Sequence, residues 1–323
     1  MKYDLTQARK CIETLDKRRF DRALLGSGDA FRHIVSLVPL LLHLNHPALP
    51  GYVEDAPAGI ADFILSNYQQ NFLSKEHPEL VEDAQSAVNS DAVFTPILGI
   101  YVMGSFGSIS QTSASDLDIW ICHQDDLSEQ DQQRLAEKTK KITQWASTFH
   151  VEMHFYLMTQ KRFRNERYSD PLTKENSGSA QYMLLLEEFY RSAVRLSGKP
   201  LLWLHLWVED EKQYEVEVAR LVAEGELNPN DWVDFGGLGQ FSASEYFGAS
   251  LWQLYKGIDS PYKSVMKILL LETYAQEYPN AHLIARQFKE DLLSARSTAA
   301  HHFDPYIAIL ERISQYLTAH SEF

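Results

Sequence analysis

The chain has 323 residues, of which 45% are hydrophobic and 23% are charged, and this composition excludes a disordered or fibrous protein. Its formal net charge of -14 argues against a general nucleic-acid-binding surface, because neutralising many phosphates requires a clustered excess of Lys and Arg. The cysteines Cys11 and Cys122 lie far apart, and neither a signal peptide nor a long uncharged apolar segment appears in the sequence. We therefore expect a cytoplasmic protein with free thiols and no membrane span.

Residues 1–92 are predicted to form an N-terminal helical region. Apolar residues recur at spacings of three and four in TLDKRRFDRALL and in FRHIVSLVPLLLHL, which is typical of helices that bury one face. The segment LNHPALPGYVEDAPAG is rich in Pro and Gly and is expected to be a long loop between two helices.

Residues 93–208 have the pattern of a small α/β unit. The runs ILGIYVMGS and DLDIWICH are expected to be buried strands with a short helix between them, and VEMHFYLM is expected to be a third strand. LSEQDQQRLAEKTKKITQWASTF has helical periodicity with Ser128 as its N-cap. AQYMLLLEEFYRSAVRLSG is predicted to be one long helix, followed by a fourth strand in LLWLHLWVE.

Residues 209–323 are predicted to be helical again. Ser242 and Glu245 have the spacing of a capping box, and Ser260-Pro261 has the character of an N-cap and first helical turn. The last helix, PYIAILERISQYLTAHSEF, has no glycine to end it, and this suggests a fragment of a longer protein.

Asp116 and Asp118 are the strongest candidates for chemistry in the sequence. Residues two apart in a strand face the same side, so their carboxylates should lie together and attract divalent cations. Mg²⁺ prefers such oxygen ligands together with substrate phosphates. Glu152 on the neighbouring strand is the expected third ligand, although His154 shares its face, because a carboxylate suits Mg²⁺ better than an imidazole does.

Gly104 and Ser105 follow the first predicted strand and are expected to bind phosphate. A glycine lets backbone N–H groups approach a phosphate closely, and the serine adds a hydroxyl donor at a predicted helix N-terminus. An isolated Asp-x-Asp is usually a pair of solvent-facing acids or part of a turn. The Gly-Ser upstream, and the cost of placing two unpaired charges within an apolar run, favour the metal site.

The spacing Gly-Ser-x(10)-Asp-x-Asp resembles that of the DNA polymerase β-like nucleotidyltransferase superfamily. EYFGASLWQLYK resembles the signature segment of class I adenylate cyclases of the enterobacterial type. LPGY, MGSxxSxxQxxxSDLDIWxCH, LLLxEFYRxAVRLxGK and SPYKxVxKxLLLE resemble the same family in the same order. The resemblance therefore extends over nearly the whole chain.

This resemblance implies an α+β fold, in which a small mixed sheet of the nucleotidyltransferase type at 93–208 is flanked by the N-terminal and C-terminal helical regions. It implies an enzyme that cyclises ATP with two Mg²⁺ ions, or with Mn²⁺ in their place. Asp116 and Asp118 would hold the metals and Ser105 would bind phosphate, while Ser115 and Trp120 would support the motif. It also implies a C-terminal regulatory region and a sugar phosphotransfer system regulator that acts on the longer protein.

Three interpretations of this sequence differ in function. The first is a cyclase, the second is a nucleotidyltransferase that adenylylates a separate protein or small-molecule acceptor, and the third is a nucleotide-sensing module without catalysis. The intact Gly-Ser and Asp-x-Asp argue against the third. The sequence lacks the paired Cys and His spacing of structural zinc sites and the G-x-S-x-G of serine hydrolases.

The triphosphate also needs cations from the protein, and Lys256, Lys263 and Lys267 are the candidates. Lys263 and Lys267 are four residues apart, so they share a helix face.

The basic cluster of the first helix is expected to be a solvated face. The aromatic residues of the signature segment are expected to be mostly core, with one of them available to stack on adenine. The basic residues of the first helix are Arg18, Arg19 and Arg22. The aromatic residues of the signature segment are Tyr246, Phe247, Trp252 and Tyr255.

Overall fold

The computed structural model describes residues 5–88, 95–113, 115–165, 182–294 and 303–320. Its helices, in chain order, are α1 Leu5–Leu25, α2 Asp29–His43, α3 Asn67–Glu76, α4 Val81–Val88, α5 Glu129–Ser147, α6 Gln160–Asn165, α7 Tyr182–Ser192, α8 Leu202–His205, α9 Tyr214–Ala223, α10 Ala243–Lys256, α11 Pro261–Gln276, α12 Ile284–Leu293 and α13 Pro305–Ala319. Its strands are β1 Ile97–Met103, β2 Leu117–His123, β3 Met153–Met158 and β4 Val194–Gly198. The α+β fold class is confirmed.

The four strands form one mixed sheet in the order β3-β2-β1-β4. β1 pairs antiparallel with both β2 and β4, whereas β2 pairs parallel with β3. All seven residues of β1 are buried, because this strand has neighbours on both edges and packed helices on both faces.

Two hydrophobic cores lie against the two faces of the sheet. Alternate residues of β2 divide between them, with Trp120 in one core and Ile119 in the other. The Trp120 core also contains Ile12 from α1 and Ile309 from α13, so it draws on each of the three predicted regions. The boundaries at residues 92 and 208 stay predictions.

Several predicted helix starts are confirmed at the level of individual hydrogen bonds. The Ser128 hydroxyl accepts the N–H of Asp131, and Ser242 and Glu245 form the reciprocal capping box. α11 begins at Pro261, but the Ser260 side chain makes no capping bond there. At that end the proline, whose ring fixes φ, starts the helix by itself.

Three predicted elements are wrong. The long helix ends at Ser192, and the following VRLSG is β4, since pairing with β1 outweighs its helical periodicity. LLWLHLWVE contains the short helix α8 instead of a strand, and of its residues only Leu201 bridges to Val233. The segment after Gly104 is a series of turns, not a helix. No helix in the described ranges combines the length and apolarity needed to cross a bilayer.

Candidate active site

Asp116 and Asp118 lie where β2 begins, on the face of the sheet that carries Trp120. Asp116 is exposed, and Asp118 is half-buried. Burial, together with the nearby charge of Asp116, raises the pKa of Asp118 from 3.8 to about 6. The hydroxyl of Tyr156 donates to the Asp118 carboxylate over 3.3 Å, and His154 and Lys267 partly offset the rise in pKa. The Asp118 carboxyl group is therefore harder to ionise than a solvent-exposed one.

The register between β2 and β3 decides which β3 residue faces the aspartates. Asp118 is paired with His154, and Glu152 lies just before the strand begins. The Glu152 carboxylate lies 3.2 Å from Nε2 of His154, and its side chain is 72% exposed. In the ranges that the structure covers, no three His, Cys, Asp or Glu side chains are grouped closely enough to hold a metal ion. Glu152 as third ligand stays a prediction.

The turn segment Gly104–Ser110, called here the glycine loop, begins at the same end of the sheet. Asp118 is the register partner of Met103, the residue just before Gly104. Gly104 has φ of +84°, a conformation that favours glycine, and no heavy atom lies within 4 Å of the position that a Cβ would occupy. Within the described chain, the N–H groups of Ser105 and Phe106 donate no hydrogen bond. Open space at Gly104 and two backbone N–H groups without a described acceptor therefore lie within three consecutive residues.

The rear of the glycine loop is anchored by hydrogen bonds from several elements. Ser192 at the end of α7 accepts the N–H of Gly104 at 3.1 Å, and Gln111 accepts the N–H of Gly107 at 2.6 Å. Ser105 is itself buried, and its carbonyl accepts bonds from the N–H and hydroxyl of Ser108. Hydrogen bonds from Ser192 and Gln111 therefore fix the backbone of the glycine loop at Gly104 and Gly107.

The expectation that the basic cluster of α1 is a solvated face is wrong for Arg19, whereas Arg22 is 46% exposed but also contacts the glycine loop. Arg19 is 2% exposed, and its guanidinium donates to the carbonyls of Phe106 and Ser192 at 3.0 and 2.7 Å. Arg22 donates to the carbonyl of Gly107 at 2.5 Å. A buried guanidinium can offer five donors in fixed directions, so Arg19 ties α1, the glycine loop and the end of α7 together.

Gly107 is the position in the glycine loop where any side chain should be most damaging. Its φ is +64°, and a Cβ there would overlap the backbone of Arg19. We expect Gly107→Ala to lower the free energy of unfolding by about 2–4 kcal/mol, from the strained φ and the overlap together.

Gly225→Ala is the matched control for this substitution. Gly225 also has a positive φ, +72°, but open space surrounds its missing Cβ. Gly225→Ala should therefore lower the free energy of unfolding by only about 1–2 kcal/mol, the cost of placing an alanine at a positive φ. Chemical denaturation of both variants measures the difference, and equal losses would show that the Arg19 contact is unimportant.

Ser115 and Trp120 support the Asp-x-Asp segment from within the protein. The Ser115 hydroxyl accepts the N–H of Thr112 at 2.9 Å and so closes the turn before the aspartates. Trp120 is buried and stacked on Phe189, with ring centroids 4.1 Å apart. Its indole anchors β2 in the core and lies away from solvent.

Lys267 is held beside the aspartates by an ion pair. Its Nζ lies 2.7 Å from the carboxylate of Glu188 on α7. Burial alone would raise the pKa of Glu188, but Lys267, Arg191 and Lys263 lower it overall. The positive charge of Lys267, on α11, also lowers the pKa of Asp118.

Most of the remaining candidate side chains lie on α10. Lys256 lies at the end of α10 with its Nζ 5.5 Å from the ring centroid of Trp252. Phe247 and Tyr255 are exposed, which corrects the expectation of core positions, whereas Trp252 is buried. Tyr246 is partly buried against the core. His301 and His302, adjacent in the sequence, lie outside the described residues.

The residues present fit a magnesium site formed with substrate. Mg²⁺ usually binds one or two protein carboxylates and takes its remaining ligands from water and substrate phosphates. Asp116 and Asp118 supply two carboxylates on one face of β2, and burial together with the neighbouring carboxylate raises the pKa of Asp118, an effect that a bound cation would oppose. Gly104 lies next to open space, and the N–H groups of Ser105 and Phe106, which have no described acceptor, are candidate donors for the phosphates.

Comparison with known proteins identifies the family. Residues 4–204 match the family described as the adenylate cyclase NT domain. The chain belongs to the class-I adenylate cyclase family. Residues 241–323 match a second family description, the class-I adenylate cyclase second domain.

Curated adenylate cyclases are similar to this chain along its length. It is 67% identical to that of Haemophilus influenzae over 100% of this chain and 39% of the relative. It is 61% identical to that of Pasteurella multocida over 100% of this chain and 38% of the relative. The Escherichia coli K12 adenylate cyclase is 44% identical over 97% of this chain and 36% of the relative. The chain thus spans less than two fifths of the length of these adenylate cyclases.

Among solved structures, a spectinomycin adenyltransferase from Enterococcus faecialis, solved with ATP and spectinomycin, is similar to this cyclase-family chain. The similarity has a TM-score of 0.33 and 14% sequence identity, and covers 78% of this chain and 90% of the other. A similarity this low carries no argument about function.

Residues of this chain to which the sequence analysis gave no role in the site include Arg19, Ser192, Glu188 and Asp304. Each contacts the glycine loop or a lysine near the aspartates. Their partners lie 79 to 195 positions away in the sequence, so no local pattern indicates them. The segment LLLxEFYRxAVRLxGK does contain two of them. Glu188 is one of its specified residues, whereas Ser192 falls at an unspecified position, and the pattern gives neither residue a role.

Proposed function

We propose that this chain is the catalytic portion of an adenylate cyclase, which converts ATP to 3′,5′-cyclic AMP and pyrophosphate. The observation that carries the proposal is the pairing of Met103 with Asp118. Because Gly104 follows Met103, this register supports a site in which the glycine loop begins at the same end of the sheet as the two aspartates. A nucleotide whose phosphates lie against the loop would have its α-phosphorus near the carboxylates.

The reaction is an intramolecular displacement at that phosphorus. The ribose 3′-oxygen forms a bond to the α-phosphorus, the bond from that phosphorus to the pyrophosphate oxygen breaks, and the 3′-hydroxyl proton is released. No covalent bond to the protein is required, so the protein contributes position and charge. The N–H groups of Ser105 and Phe106 would bind the phosphates, and Lys267 and Lys263 would add positive charge on the side of α11.

Asp116 and Asp118 would hold two Mg²⁺ ions, with Glu152 as a further ligand and Mn²⁺ as an alternative ion. Bound there, these ions would lower the pKa of the ribose 3′-hydroxyl and neutralise the departing pyrophosphate. The Tyr156 hydroxyl orients Asp118 by donating to one of its oxygens, which leaves the other oxygen available.

The substrate is proposed to be ATP, and the protein is proposed to be a part of a longer enzyme. The relatives extend well beyond the matched region, which supports a further region that regulates the catalytic portion. A sugar phosphotransfer regulator acting on that region belongs to the same proposal. Cytoplasmic location is the setting in which such a regulator would act.

Product analysis with purified chain and Mg-ATP tests this function. Equimolar cyclic AMP and pyrophosphate, lost on addition of EDTA and regained with excess Mg²⁺, is the expected result. GTP incubated in parallel reports whether the site selects adenine. Turnover that requires an added protein or small-molecule acceptor would instead support an adenylyltransferase, and binding of Mg-ATP with no product from any divalent metal would support a sensing module.

A further inference from the structure

Asp304 joins the glycine loop to the last described helix. Its Oδ2 accepts the N–H of Ile109 at 2.7 Å and lies 3.1 Å from a guanidinium nitrogen of Arg22. Its Oδ1 accepts the N–H groups of Tyr306 and Ile307 and so caps α13. The side chain is 1% exposed, so one buried carboxylate connects α1, the loop and α13.

This carboxylate fixes the rear half of the glycine loop. Arg22, which it pairs with, also donates to the carbonyl of Gly107, two residues before Ile109. Two neighbouring points of the loop are therefore held by hydrogen bonds to charged groups, which are stronger than neutral ones. The free N–H groups of Ser105 and Phe106 lie on the other half of the same short loop.

We propose that Asp304 is a positioning residue that sets the glycine loop for the phosphates of a nucleotide. It does so from within residues 241–323, the family's second domain, whereas the loop and the aspartates lie in the first. The site is therefore completed by a residue 195 positions away from its loop. The role in catalysis rests on the proposed function, but the effect on the loop does not.

Asp304→Asn is the informative variant. Asn is as good an N-cap as Asp, so α13 should keep its cap. The amide has only one acceptor oxygen and no charge, so Ile109 loses its acceptor and Arg22 loses its ion pair. We expect kcat/KM for ATP to fall about 10- to 100-fold, as a small misplacement of binding groups produces. We also expect backbone amides of residues 104–110 to exchange with deuterium about tenfold faster.

Ser128→Ala is the matched control, because it removes the cap of α5, which packs on the other face of the sheet. Its thermal stability should fall, with kcat/KM and exchange at 104–110 unchanged. Arg22→Gln should lower kcat/KM as well, and combining it with Asp304→Asn should add less than the product of the two effects, since both hold the same loop.

The two readouts separate the positioning role from the proposed function. Unchanged exchange at 104–110 in Asp304→Asn, or an equal loss of kcat/KM in Ser128→Ala, overturns the positioning role. If the unmodified chain forms no cyclic AMP, the proposed function fails, and the exchange measurement alone then decides whether Asp304 sets the loop.

Discussion

Asp118→Asn is expected to reduce cyclic AMP formation by at least about 10³-fold, which corresponds to about 4 kcal/mol of transition-state stabilisation. The amide is nearly the same size as the carboxylate but carries no charge to hold a divalent cation. Asp118 lies near the start of a central strand and is paired with Met103 and His154, so the substitution changes charge at a position fixed by strand pairing.

The same substitution is expected to make the metal-free protein more stable. The folded-state pKa of Asp118 is about 6, above its ordinary value of 3.8. A carboxyl group with a raised pKa favours folding at low pH, and this contribution is lost as the pH rises through about 6. At pH 7 to 8 the ionised Asp118 therefore costs on the order of 1–3 kcal/mol, which Asn avoids.

Activity and thermal unfolding, the latter in EDTA at pH 5 and pH 8, measure both effects. The stability gain of Asp118→Asn should be larger at pH 8 than at pH 5. Asp126→Asn is the control, because Asp126 is exposed in the loop after β2, and it should change neither quantity. Full activity in Asp118→Asn would contradict the metal assignment, and a loss of stability at pH 8 would contradict the charge argument.

Lys267→Met and Glu188→Gln together test whether Lys267 acts on the nucleotide. Each removes one partner of the same ion pair, so both should destabilise the protein by a similar amount, on the order of 1–3 kcal/mol. Lys267→Met also removes the cation beside Asp118 and should lower kcat about 10²- to 10³-fold. Glu188→Gln leaves that cation in place and should cost less than about tenfold in kcat.

Steady-state kinetics and chemical denaturation of the two variants provide the comparison. Lys256→Met is a further variant for comparison, because Lys256 lies against Trp252 and has no described interaction with the aspartates. Equal kinetic losses in Lys267→Met and Glu188→Gln would reduce Lys267 to a structural role. A loss in Lys256→Met as large as that in Lys267→Met would place the triphosphate nearer α10.

The sequence predicted those parts of the site that depend on residues close together in the chain. The alternation of β2 places Asp116 and Asp118 on one face, and the Gly-Ser turn follows β1, as their spacing indicates. The caps at Ser128 and Ser242 are confirmed for the same reason, since a cap is a contact between residues three apart.

The rest of the site depends on contacts that local patterns do not encode. A cluster of arginines on a helix resembles a solvated face until the partner of Arg19 is known to be the carbonyl of Phe106, 87 positions away. VRLSG has both helical and strand character, and its pairing with β1 decides between them. Glu152 and His154 share a face, so sequence alone could not decide which one is paired with Asp118.

If the glycine loop binds the nucleotide as proposed, the contact between Ile109 and Asp304 also affects how soon a newly made chain can reach its full rate. A ribosome adding about 5–20 residues per second would need about 10–40 s to proceed from one partner to the other. Until α13 has emerged and docked, the nascent chain would contain both aspartates but only a loosely held glycine loop. Newly made molecules would therefore reach their full rate only after translation had passed residue 304.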